Sequence, residues 1–134
     1  MTTIASASAN FTSWDEDPPW DKEPPLPRLA QATVAFRYSG STEAEGDCRY
    51  VLSYAADGSG NGVGLERLSG TVDGQPGEVV LRHDVTFAPE GVWVDVAIVA
   101  GSGTGAFDGR TGRGHYQAAH GSTGWEWSLE EGPA

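Results

Sequence analysis

The chain has 134 residues, the size of one domain, and sets nineteen Asp and Glu against eight Lys and Arg for a formal net charge of −11. Phosphate backbones and anionic membrane surfaces repel such a chain, so no nucleic-acid or membrane partner is expected. Cys48 is the single cysteine, which excludes an intrachain disulfide, and the length suffices for a hydrophobic core without disulfide or metal staples.

Met1 to Asn10 lacks both a basic region and a continuous apolar run. Nowhere does the chain approach the ~20 apolar residues of a spanning helix, and a cytoplasmic, reducing setting is expected. Nineteen glycines and many short Val, Thr, Tyr and Trp segments between turn signals predict an all-β domain. In the first run Ala5, Ala7, Ala9 and Phe11 alternate with Ser6, Ser8, Asn10 and Thr12, the period-two pattern of a strand. Asp15 to Pro27 then holds five of the eight prolines and five carboxylates. Prolines cannot donate to a sheet ladder, so this segment is predicted to be an arm or loop laid over a barrel rim or a neighbour, with Trp20 as a rim or oligomer contact.

Ala30, Ala32, Val34, Phe36 and Tyr38 form the next alternating face, and Cys48, Tyr50, Leu52 and Tyr54 another, opposite Asp47, Arg49, Val51 and Ser53. Ala56 to Gly62 reads as a hairpin loop and Val72 to Gly77 as a turn. Between and after them, Val63 to Leu68, Glu78 to Phe87, Val92 to Val99, Arg113 to Ala119 and Trp125 to Glu130 complete about eight strands, in one domain with no repeat. That number closes into an antiparallel barrel whose interior holds side chains or one small ligand, and closure removes exposed sheet edges.

The glycine-dense stretch from Gly101 to Gly114 has no following Lys-Ser/Thr and no amphipathic helix, so it is not a phosphate cradle. Its Gly103, Thr104, Gly105, Phe107, Gly109 and Gly112 resemble the glycine-rich turn shared by allene oxide cyclases and dirigent proteins. The whole chain resembles a bacterial family of uncharacterised small barrel proteins with that fold. The resemblance runs through Ser13-Trp14-Asp15-Glu16, Gly64-Leu65-Glu66-Arg67, Gly70-Thr71-Val72-Asp73-Gly74, Val80-Leu81-Arg82-His83, the glycine turn and Ala119-His120-Gly121. It implies a closed, allene-oxide-cyclase-like barrel, commonly a homo-oligomer, that folds a reactive substrate inside an apolar lumen.

Two polar residues share faces with apolar ones. His83 alternates in phase with Val79, Leu81, Val85 and Phe87: it is either a core histidine bonded to a carbonyl or hydroxyl, or a general acid/base. Glu66 shares a face with Gly64 and Leu68, as a proton-transfer group or as the partner of Arg37, Arg49 or Arg82. His83 and Glu66 are the candidate catalytic residues, and Phe36, Tyr50, Leu52, Tyr54, Val96 and Trp127 the candidate ligand-binding residues of one shared cavity. His115 and His120 point to opposite faces of a regular strand, and no His-x-His pair is present, so neither metal nor cofactor is expected. Cys48 has no basic partner in sequence and no Gly-x-Ser-x-Gly elbow is present, which leaves nucleophilic catalysis unsupported. The expected function is binding of one hydrophobic, polyketide- or lipid-like small molecule, with cofactor-independent cyclisation or isomerisation. A non-catalytic carrier or sensor, and a packed oligomeric barrel without a ligand, are the alternatives.

Overall fold

The computed structural model describes residues 2–17, 26–119 and 122–132. Nine strands follow one another: β1 (Thr3–Asp17), β2 (Arg28–Ser39), β3 (Thr42–Tyr54), β4 (Gly60–Val72), β5 (Gln75–Ala88), β6 (Gly91–Ile98), the two-residue β7 (Thr104–Gly105), β8 (Gly112–Ala118) and β9 (Gly124–Glu131). Eight are ordered β4-β3-β2-β1-β9-β8-β6-β5, and β5 pairs back onto β4 to close an antiparallel barrel. The described residues contain no helix.

The alternation expected from the sequence is the alternation of burial. Along β3 every odd-phase side chain from Glu43 to Ser53 is exposed while Thr42, Ala44, Gly46, Cys48, Tyr50 and Leu52 are buried. The exception is β1, where a register shift between Phe11 and Ser13 exchanges the two faces. After that bulge Trp14 and Glu16 stand opposite the inward-facing Val34 and Ala32, so they point to the lumen side. β1 also runs on to Asp17, pairing Asp15 with Thr33 and Asp17 with Gln31. The expected arm therefore begins later than Asp15, because no proline interrupts the ladder before residue 18. Trp20, within the arm, lies outside the described residues.

Two turns are tighter than predicted. β4 begins at Gly60, so the hairpin after β3 is shorter than Ala56 to Gly62. Between β4 and β5 only Asp73 and Gly74 remain outside the strands, with φ of 50° and 84°. A two-residue turn needs positive φ at both positions to match strand twist, which Asp-Gly supplies.

The two ends of the barrel differ. At the end formed by the β2–β3 and β4–β5 hairpins, the segment after β6 folds inward and buries Phe107 completely. Phe107 N–H bonds Thr104 O and Arg110 N–H bonds Phe107 O, which holds this plug in a tight loop. Gly101 to Gly112 thus connects β6 to its sheet neighbour β8 while sealing one end. At the other end Phe11, Tyr54, Val85, Phe87, Val92 and Trp125 are only partly buried against the core. These partly buried, largely aromatic side chains form the rim, or mouth, at this end.

Candidate functional site

Strand register brings the site together. Ala32, Tyr50, Gly64, His83, Val96 and Gly114 stand side by side across β2, β3, β4, β5, β6 and β8. The neighbouring inward row sets Cys48 opposite Glu66, and Glu66 opposite Leu81. Between Tyr50 and His83 stands only Gly64, where a Cβ would lie 2.6 Å from the Tyr50 ring. Gly46 plays the same part for Glu66, since a Cβ there would lie 1.9 Å from Oε2. Both glycines are absences that larger side chains fill.

The result is a continuous hydrogen-bonded chain in the core. Tyr38 Oη donates to Glu66 Oε2 at 2.5 Å, His83 Nε2 lies 2.7 Å from Glu66 Oε1, and Tyr50 Oη lies 2.8 Å from His83 Nδ1. Glu66 is 0% and His83 1% exposed. A carboxylate at Glu66 accepts from both Tyr38 O–H and His83 Nε2–H, which leaves Nδ1 to accept the Tyr50 hydroxyl. Every polar atom of the chain then has a partner, the condition under which buried polar groups are tolerated. Phe36 stacks on His83 at 5.9 Å and 16°, fixing the ring plane. Cys48 and Tyr116 also interact with the Tyr50 hydroxyl.

Burial sets the titration of this cluster. Desolvation first, and the Glu66 charge second, hold Tyr38 and Tyr116 well above the usual phenol range, and desolvation does the same to Tyr50. Cys48 is pushed up from 9.0 to about 12 by burial and then by Glu66. Its thiol is therefore no nucleophile near neutrality.

A second polar cluster sits toward the mouth. Glu16 accepts from Tyr54 Oη at 2.7 Å and from Trp14 Nε1 at 2.9 Å, and Arg28 lies 3.5 Å from its other oxygen. The Arg28 guanidinium lies 5.7 Å from the centre of the Tyr54 ring. Trp14 is 42% exposed and stacks on Tyr50 at 5.8 Å, so the inner chain ends on a ring in contact with a part-exposed side chain. Trp125 lies flat against Tyr116 at 4.9 Å and 4°. Among the described residues its buried Nε1 has no hydrogen-bond partner.

Of the residues singled out from sequence, His83 and Glu66 meet directly. Phe36, Tyr50 and Val96 touch or flank His83, and Trp127 packs on Tyr38 at 4.8 Å. Leu52 is a buried wall residue. Tyr54 belongs instead to the Glu16 cluster, because the β1 bulge turns a carboxylate toward it. Arg37, Arg49 and Arg82 all face outward and pair with Glu45, Asp47 and Asp84, so none of them is the partner of Glu66. His115 pairs with Asp95 on the outer wall at 2.8 Å, and His120 lies outside the described residues. Among the described residues no group of three metal-ligating side chains converges. Two depressions, of about 460 and 450 Å³, lie on the outer wall around Arg37 and Arg67 and at the plugged end around Gly77. The first is separated from Glu66 by the backbone at Gly46, and neither is lined by Tyr38, Tyr50, Glu66 or His83.

Tyr38, Trp14 and Glu16 were not singled out from sequence. Alternation already put Tyr38 on the lumen face, but only register shows that its hydroxyl reaches Glu66. For Trp14 and Glu16 simple alternation gives the wrong face, and no residue in the run announces the bulge.

A family model for proteins of unknown function, DUF3224, matches residues 5–129. The crystal structure of a DUF3224 protein of unknown function from Shewanella oneidensis superposes with a TM-score of 0.74 at 20% identity, covering 99% of this chain and 100% of that one. At that identity the likeness carries the fold alone. A search of curated proteins returns no match.

Proposed function

We propose, from the premise that this chain belongs to the DUF3224 family of proteins of unknown function, that it binds one hydrophobic small molecule at the barrel mouth and shifts a proton on it, as a cofactor-independent isomerase or cyclase. The observation that carries this reading is the buried Glu66–His83–Tyr50 chain, whose Tyr50 ring stacks on the part-exposed Trp14. Such a chain takes a proton and gives one back. Tyr50 is the group that touches the ligand, taking a proton from an acidic ligand carbon as its own hydroxyl proton passes to His83 Nδ1; the Glu66 carboxylate stabilises the imidazolium that results, and the reverse transfer returns a proton to the ligand at a second position.

The mouth supplies the binding energy. A planar ligand taking the place of Trp14 on the Tyr50 ring would be held between aromatic walls, and its carbonyl oxygen would satisfy the unpartnered Trp125 N–H. Glu16, held by Tyr54 and Trp14, sets the polar edge of the opening.

The test needs no knowledge of the natural substrate. Planar aromatic ketones and long-chain fatty acids are titrated against tryptophan fluorescence, and exchange of the ketones' α-protons in heavy water is followed by nuclear magnetic resonance. Saturable quenching is expected, and Trp14→Ala, which vacates the ligand's place on the Tyr50 ring, should leave binding as tight or tighter, whereas Trp125→Phe should reduce the quenching. Tyr50→Phe and His83→Gln should slow exchange by ~10²–10⁴-fold while leaving affinity within a few-fold. Absence of quenching by every ligand would remove the binding reading, and unchanged exchange in Tyr50→Phe the relay.

A second reading rests on the near-zero exposure of Val34, Cys48, Leu68 and Leu81 around the relay. On this reading the barrel is packed, the hydrogen-bonded chain pins β2, β3, β4 and β5 in register, and no ligand enters. His83→Gln would then lower stability by ~1–3 kcal/mol and change nothing else.

A further inference from the structure

Six large hydrophobic residues are well exposed among the described residues, and four of them, Leu29 (71%), Val51 (53%), Val63 (55%) and Leu65 (54%), lie on one outer face. Register makes them contiguous. Val51 stands directly opposite Val63 across β3 and β4, Leu65 is the next outward residue after Val63, and Leu29, opposite Ser53, is diagonal to Val51. An apolar patch of this kind on an outer sheet face is the usual mark of a covered surface.

The charges around it are as informative as the patch. The outward rows from Leu29 to Arg37 across β2, β3, β4 and β5 contain Arg37, Arg49, Arg67 and Arg82 against Glu45, Asp47, Glu78 and Asp84. Four cations against four anions leave this face neutral, on a chain whose net charge is −11. The rest of the molecule therefore carries the whole excess, and this is the face on which another strongly acidic molecule meets least repulsion.

We propose that the outer face of β2, β3 and β4 is the contact between two copies of this chain in a two-fold dimer. The pattern is self-complementary in one specific way. When two such faces meet about a two-fold axis lying in the interface and crossing β4 between Val63 and Leu65, each residue of the two rows flanking the axis meets the partner's residue two places along the same strand, and rows farther out meet their counterparts across the axis. Val63 then covers the partner's Leu65, and Arg82 meets the partner's Asp84. Within one chain Arg82 and Asp84 are 3.6 Å apart and half or more exposed, so both are available to exchange partners. An axis along β4 would instead set Arg49 against the partner's Arg82, and the like charges reject it. Face-to-face packing also suits a closed barrel, which has no free strand edge to offer.

The experiment is sedimentation equilibrium and light scattering on the full chain at micromolar concentration, with circular dichroism to confirm the fold of each variant. The wild type should be a dimer, and Leu65→Arg should weaken association by about 30-fold or more. Arg82→Asp should do likewise by facing the partner's Asp84. The double exchange, Arg82→Asp with Asp84→Arg, restores complementarity across the proposed axis and should restore the dimer. Should Leu65→Arg fail to fold, the charge-exchange series decides alone. A monomeric wild type overturns the proposal. So does a dimer indifferent to Leu65→Arg, or a single exchange that the double does not rescue.

Discussion

At the scale of single residues, the site is built as much by what two positions lack as by what others carry. Glu66 fits only because Gly46 has no side chain, a Cβ there lying 1.9 Å from Oε2 and 3.2 Å from Cγ. Gly46→Ala is accordingly expected to cost ~1–3 kcal/mol by forcing Glu66 off its partners. In a Glu66→Ala background the same change meets empty space. Denaturant titration of the two single variants and the double should therefore give a combined loss smaller than the sum by about 1 kcal/mol or more; strict additivity would show that Gly46 and Glu66 do not compete for one volume. Sequence alone shows Glu66 and His83 as polar residues on apolar faces, and that was enough to select them. It does not show that they bond to each other. That depends on which residue of β4 stands opposite which of β5, a register set by the two-residue Asp73-Gly74 turn. Had the turn spanned Val72 to Gly77 as expected, Glu66 and His83 would still share the lumen but no particular distance would follow.

At the scale of strands and loops, alternation was a sufficient guide wherever the ladder is regular, because one face of each strand must be buried and the other wetted. It failed at the β1 bulge, where one unpaired residue moves Trp14 and Glu16 to the lumen side while nothing in Phe11-Thr12-Ser13 marks the change. The glycine-rich connection was legible as a link between neighbouring strands, but its packing role was not. It delivers Phe107, 0% exposed, into the end of the barrel beside Gly77, where a Cβ would lie 3.1 Å from the Phe107 ring. Removing that fully buried ring leaves a void beside β5. Phe107→Ala is expected to cost ~3–5 kcal/mol, and Phe107→Leu less than half of that. Thermal unfolding followed by circular dichroism checks the order. If Phe107→Ala unfolds with the wild type, the loop does not seal the barrel.

At the scale of the whole molecule, all four tyrosines and the one cysteine are drawn into the barrel, and all five are held above their ordinary titration range. For Tyr38, Tyr50, Tyr54 and Tyr116 the leading cause is burial, and for Tyr38 and Tyr116 the Glu66 charge comes next. Each of these groups is neutral in both states at pH 7. As pH rises, the unfolded chain loses its protons first, at about 9 for the thiol and about 10 for the phenols, while the folded chain keeps them. A folded-state pKa above the unfolded one means stability that is complete below the unfolded value and lost as pH climbs through the folded one. Cys48, rising from 9.0 to about 12, contributes at most about 4 kcal/mol to that loss by pH 12, and the phenols add to it over the same window. Unfolding free energy is therefore expected to show no loss from these groups up to about pH 9 and to fall steeply between there and pH 12. Phenolate absorbance from Tyr38, Tyr50 and Tyr116 should rise together with the loss of the β-sheet signal in one step, because these three are buried in the core. Cys48→Ala removes one of the five groups, so, compared at equal stability near pH 7, it should move the alkaline midpoint to higher pH. Phenolate appearing with ordinary midpoints while the sheet persists would mean that the tyrosines, and with them Tyr50 at the end of the relay, are wetted in solution.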